Sequence, residues 1–160
     1  MDFYLHNQHY RFLPSPPLTM KNLLTLIVLF LPFVLASQSE ESDIIGVWLN
    51  EKKEAVVEIY QEDEQYFGKI IDIQGEHAHR KNELKDKNNP HPENRDRQLI
   101  NMPLIENLKY KNGEYVNGTA YNPRMGRYFK CKAWMESDTT MKIRGYWGIL
   151  YATETWEKVK

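Results

Sequence analysis

The sequence predicts an all-β domain: an eight-stranded antiparallel up-and-down barrel with one long loop, 74–103, over one end. Three observations carry this. Hydropathy after Asp43 alternates with period 2, short turns carrying Gly, Pro, Asn or Asp separate the alternating runs, and there are eight such runs. Turns this short join antiparallel neighbours. Eight consecutive strands left as an open sheet would expose two edges, and curling the sheet shut removes them.

The runs place strands at 44–49, 55–61, 65–73, 104–110, 114–122, 127–136, 139–147 and 151–159. The clearest alternation is Arg127 to Glu136: Phe129, Cys131, Ala133 and Met135 share one face, while Tyr128, Lys130, Lys132, Trp134 and Glu136 share the other. One face is packed and the other wet. Asn112-Gly113 marks a tight hairpin, since both residues accept positive φ. Asn122 to Gly126 and Ser137 to Thr139 supply the next two turns.

Gln74 to Pro103 breaks the rhythm. It holds His77, His79 and His91 and many charges, and Pro92 to Leu99 is expected to form a short helix with Pro92 in its first turn. Strand parity puts the connections after strands 1, 3, 5 and 7 at one end. The long loop, the 122–126 turn and the turn near Trp147 to Leu150 should therefore share a mouth.

The chain has 160 residues, 21 Lys+Arg against 22 Asp+Glu, and one cysteine. A net charge of -1 offers no basic excess for a phosphate backbone, so nucleic acid is not the expected partner. A single cysteine excludes an intrachain disulfide framework and a cysteine-rich zinc site. Residues 1–36 read as a signal-peptide region whose natural start is Met20. Lys21 is followed by an uncharged run from Leu23 to Ala36, and Val34-Leu35-Ala36 resembles a cleavage site. The run is shorter than the ~20 residues a membrane-spanning helix requires and contains Pro32, so no stable membrane span is expected. Residues 37–160 would then be the exported domain, in the periplasm or secreted.

Gly46-Val47-Trp48 resembles the Gly-x-Trp start of lipocalin-like barrels. Asp86-x-x-Asn89-Pro90, Arg95-x-Arg97-x-Leu99, Tyr121-Asn-Pro123-x-x-Gly126, Cys131-Lys132, Arg144-Gly145-Tyr146-x-Gly148 and Thr155-Trp156 follow in order. Together they are similar to the domain-of-unknown-function 2147 family, exported bacterial proteins of lipocalin-like fold, over about residues 44 to 158. The resemblance implies a barrel that binds a small apolar or amphipathic molecule. It also implies that Arg144 packs over the Trp48 indole at the closed end. Where the family carries isoleucine, this chain has Trp147, an indole that either narrows the cavity or stacks on its contents.

The candidate ligand-binding residues are Asn89, Arg95, Arg97, Tyr121, Tyr146 and Trp147. Arg95 and Arg97 beside Asn89-Pro90 suit an anionic head group at the mouth. Asp86, Glu93 and Asp96 offer them internal partners instead, and Asp86 pairing with Arg97 would remove that charge from a ligand. Val57, Ile59, Phe129, Met135 and Ile143 are the expected apolar wall. His77-x-His79 with His91 and Glu76 matches no established metal-site spacing, and 86–97 lacks the Gly and Glu of a calcium loop. Neither metal nor cofactor is expected. Cys131 lies on a packed strand face with no histidine to activate it, so the reading is a binding protein and not an enzyme. The alternative is a packed-barrel structural or protein-interaction module of the cell envelope.

Overall fold

The alternating runs fold as β1 (Gly46–Leu49), β2 (Ala55–Glu62), β3 (Gln65–Ile73), β4 (Pro103–Lys111), β5 (Glu114–Asn122), β6 (Arg127–Ser137), β7 (Thr140–Trp147) and β8 (Leu150–Lys158). The structure, a computed structural model, describes residues 40–159; the expected signal segment lies outside the described residues. Each strand pairs antiparallel with the next. β8 returns to β1 through Trp48 opposite Lys158 and Leu49 opposite Glu157, so the sheet is a closed barrel in sequence order. Closure leaves no long unpaired edge.

Ile44 and Ile45, expected in the first strand, instead precede it: Ile44 ends a turn and Ile45 leads from it into β1. The backbone N–H of Ile44 donates to the Tyr115 hydroxyl at 3.2 Å, and that hydroxyl donates to the carbonyls of Glu40 (3.0 Å) and Glu41 (3.1 Å). Trp48 Nε1 donates to the Ile44 carbonyl at 2.8 Å. Residues 40–45 thus plug one end. Above the plug, Trp48, Val57, Ile59, Tyr66, Leu108, Tyr115 and Met141 form a solid core.

Arg144 does not cover Trp48. Met141 and Ile143 face inward on β7, so alternation turns Arg144 outward, where its guanidinium sits 5.2 Å from the Trp134 ring centroid and 4.4 Å from that of Tyr151. Its Nε donates to the Thr153 hydroxyl at 2.8 Å. The cation over Trp48 is Lys158, 5.2 Å from the ring centroid, supplied by the position paired with Trp48 on β8.

Local irregularities bend the sheet. Asn107 and Asn117 take left-handed φ values of 61° and 63° on neighbouring strands. They flank the place where Leu108 packs on Gly118, whose Cβ, if it had one, would lie 2.5 Å from Leu108 Cδ2. Asparagine tolerates this backbone region better than branched residues, and such bulges sharpen a barrel's curvature.

The long connection carries two 3-10 segments, Gly75–Glu83 and Pro92–Asn94, in place of a helix over 92–99. The reason is a non-local exchange of hydrogen bonds. Asp86 N–H donates to the Arg97 carbonyl and Leu99 N–H to the Leu84 carbonyl, both at 2.9 Å, folding the segment back on itself around the Lys85–Gln98 bridge. A second apolar cluster sits beneath it: Ile70, Ile73, Met102 and Tyr121, with Leu84, Leu99, Ile100 and Leu104 packed against them.

Burial pushes the Cys131 thiol from its ordinary 9.0 up to about 12. A folded-state value raised above the unfolded one stabilises fully below pH 9.0, and that contribution is lost as pH climbs through about 12. At about pH 8 an aromatic disulfide reagent should therefore leave Cys131 unlabelled until denaturant is added. Prompt stoichiometric labelling of the folded chain would contradict this packing.

Candidate functional site

The opposite half of the barrel is hollow. A cavity of about 750 Å³ opens at the end where β1 meets β2, β3 meets β4, β5 meets β6 and β7 meets β8. Strand parity predicted this shared mouth. The walls come from Ile70, Ile105, Ala120, Phe129, Ile143 and Gly145; the rim includes Lys52, Asn122 to Met125, Trp147 and Leu150. Gln74, Leu84, Asn88 and Leu99 of the long connection close one side. Of the apolar wall expected from sequence, Phe129 and Ile143 line the space. Val57, Ile59 and Met135 lie with the packed half, because alternation assigns a residue to a face but not to a depth.

The β7–β8 turn forms an apolar lip. Trp147 is 61% exposed, Ile149 98% and Leu150 63%, and Met125 is exposed in the neighbouring turn. The Arg127 guanidinium lies 5.2 Å from the Trp147 ring centroid.

Tyr121 and Trp147 stand on the cavity boundary. Tyr146 alternates to the outer face, its ring tilted against Tyr151 with centroids 6.3 Å apart, so it has no access to the interior. Asn89, Arg95 and Arg97 lie off the cavity wall and build a clasp instead. Its centre is Asp86, fully buried. Tyr121 donates to Asp86 Oδ1 at 2.7 Å, Asn89 Nδ2 to Oδ2 at 2.6 Å, and Arg97 to Oδ2 at 3.4 Å. Asn89 is also fully buried; its side-chain oxygen accepts from the His91 N–H at 2.9 Å, and its carbonyl accepts from Arg95 Nε at 2.9 Å. Burial, then the hydrogen bond to Asp86, raises the Tyr121 phenol well above its ordinary 10.0, keeping it a donor at any ordinary pH.

The adjoining turn is fitted to the clasp. Asn88 Nδ2 donates to the carbonyls of Pro123 (3.3 Å) and Arg124 (3.0 Å). Gly126 has φ +61°, and a Cβ there would lie 1.8 Å from the Asn88 carbonyl oxygen, so only glycine lets the two segments touch. The motifs around residues 86–99 and 121–126 are thus one clasp, built from the long connection and from the end of β5 with its following turn.

Glu154 belongs to none of the sequence motifs, yet it lines the cavity. Leu150, Ala152, Glu154 and Trp156 all line the cavity from β8, which puts a carboxylate inside an apolar wall. Trp156 Nε1 donates to Glu154 Oε2 at 3.0 Å. Running the alternation of β8 back from Trp156 was the signal that could have found it. Among the described residues no three His, Cys, Asp or Glu side chains are grouped to hold a metal; His77 and His79 are exposed, and His91 lies 3.8 Å from Glu93.

Removing the Tyr121 hydroxyl leaves a buried carboxylate short of one donor, a loss of about 1–3 kcal/mol. Tyr121→Phe should lower the melting temperature and speed amide exchange across 84–99 while the β-sheet circular dichroism stays unchanged. Unaltered exchange there would show that the loop is held by something else.

No curated protein sequence matches the chain. A solved structure described as protein HP1028 from the human pathogen Helicobacter pylori, belonging to the lipocalin family, superposes with a TM-score of 0.63 at 21% identity, covering 73% of this chain and 83% of that one. At that identity the likeness is one of fold, and it agrees with the closed eight-stranded barrel. The model of the family described as uncharacterized protein conserved in bacteria (DUF2147) matches residues 46–158, and the chain belongs to that family.

Proposed function

We propose that this is an exported binding protein that houses a small apolar or amphipathic molecule in the open half of its barrel. The observation that carries the reading is the cavity of about 750 Å³ with walls of Ile70, Ile105, Phe129 and Ile143. Pockets for small molecules run from roughly 300 to 1,000 Å³ and are mostly apolar with a few polar groups. Burying about 200 Å² of tail would contribute ~5 kcal/mol, from which association costs are subtracted. The barrel fold shared with a lipocalin adds support by analogy, and the uncharged Leu23 to Ala36 run supports export.

A second reading is a cell-envelope interaction module. The exposure of Ile149, Leu150 and Trp147 favours it, since a protein partner would bury that lip. An occupied cavity with a bare lip separates the first reading from the second.

Gly145 offers a direct test. A Cβ there would meet only Phe129 Cβ, at 3.7 Å, so a side chain has room to grow into the cavity. Gly145→Phe should keep or raise the melting temperature and weaken Nile red binding at least tenfold. Binding unchanged in a folded variant would place the probe, and the proposed ligand, elsewhere. For the export reading, expression of the full chain in a Gram-negative host should yield periplasmic protein whose N-terminus follows Ala36 or Ser37. Intact cytoplasmic chain beginning at Met20 or earlier would overturn it.

A further inference from the structure

Resting on the binding reading above, we infer that Glu154 makes the cavity floor a receptor for a cationic head group, so that the ligand class is an amphipathic amine bound head inward. Four observations place this carboxylate. It lines the cavity from the inner face of β8, opposite Ile143 across the strand pair. One step deeper on the same face is Trp156, which belongs to the packed core, so Glu154 sits at the bottom of the open half. Toward the lip come Ala152 and Leu150; four residues of strand span about 13 Å, roughly a ten-carbon chain. The Trp156 indole supplies one neutral donor, and Glu154 takes no ion pair among the described residues.

A carboxylate half-buried beside Ile143 and Trp156 gives up part of its hydration, and a single indole N–H does not replace it. A protonated amine replaces it with a charge-assisted hydrogen bond, and the alkyl chain then runs along Ala152 and Gly145 to the apolar lip. A fatty carboxylate inserted the same way would face like charge. The arginines expected to grip an anion, Arg95 and Arg97, are occupied by the Asn89 carbonyl and Asp86. Other charged groups bordering the cavity lie toward its mouth: Glu54 is paired with Arg124 at 2.7 Å and Lys85 with Asp96 at 2.8 Å, while Lys52, Glu76, His77 and Lys87 line the opening. Lys52 on the rim is the internal competitor for Glu154, and it takes no ion pair among the described residues.

The test is calorimetric titration of the folded exported domain with decylamine, decanol and decanoate, each below its micelle concentration near neutral pH. The amine should bind at least tenfold tighter than the alcohol, with decanoate weakest. Glu154→Gln keeps the shape and an oxygen acceptor for Trp156; it should bring the amine to the alcohol's affinity and leave the alcohol within about threefold. Lys52→Ala should preserve or enlarge the amine preference. Alcohol binding with no amine preference, or a preference that survives Glu154→Gln, overturns the inference while leaving the cavity reading intact. Failure of all three probes to bind overturns the cavity reading and this inference with it.

Discussion

Closing eight strands into one cylinder gives each strand a single inner face, and the rest of the molecule follows from the size of the side chains on it. Toward the plugged end those positions carry Trp48, Tyr66, Tyr115 and Met141, which meet across the axis and fill it. Toward the mouth Ala120, Gly145 and Ala152 stand among Ile70, Ile105, Phe129 and Ile143, and with those three positions small the same cylinder encloses space. Gly145 is informative because no positive φ and no close backbone neighbour requires glycine there. A glycine in a strand costs order and offers nothing to pack, so its place on the wall leaves that part of the cavity open.

The second constraint is the buried Asp86 carboxylate. Such a charge is tolerable only when donors surround it, and Tyr121, Asn89 and Arg97 do so from β5 and from two points of the long connection. Tyr121 also borders the cavity, so one phenol ties the position of the loop to the position of the wall. Segment 84–99 is therefore scaffold for the mouth. Its arginines hold the loop, which is why residue types suited to gripping an anion make no approach to the interior.

Period-2 alternation is legible because each strand has one wet face, and it gave the eight strands, their antiparallel order and, by parity, the common mouth. It does not encode depth. Val57, Ile59 and Met135 face inward as expected and still belong to the filled half. The helix expected over 92–99 was lost to backbone bonds from 84–86, a non-local competitor that local propensity cannot register. Arg144 was placed over Trp48 by family resemblance, whereas the alternation of β7 already turns it outward, and the same alternation applied to β8 exposes both Lys158 and Glu154 as inner-face residues. Where analogy and alternation disagreed, alternation described the molecule.

The polarity of the cavity then runs from an apolar lip, along small neutral walls, to a carboxylate at the floor. On the proposed binding reading, lipid-like molecules with either sign of head group would pass Trp147 and Leu150 and end in different orientations. An anionic head would stay at the mouth, where Lys52 and Lys87 take no ion pair among the described residues and water screens the attraction. A cationic head would travel inward, because Glu154 at the floor is the opposite charge that lies deepest along the cavity wall. Attraction between opposite charges strengthens as the surroundings dry, so each carbon of tail that seals the passage behind the head reinforces the pairing below it. Chain length and head-group charge are then coupled in selectivity: a short amine that leaves the passage wet forfeits much of its advantage over the alcohol, and a longer one enlarges it.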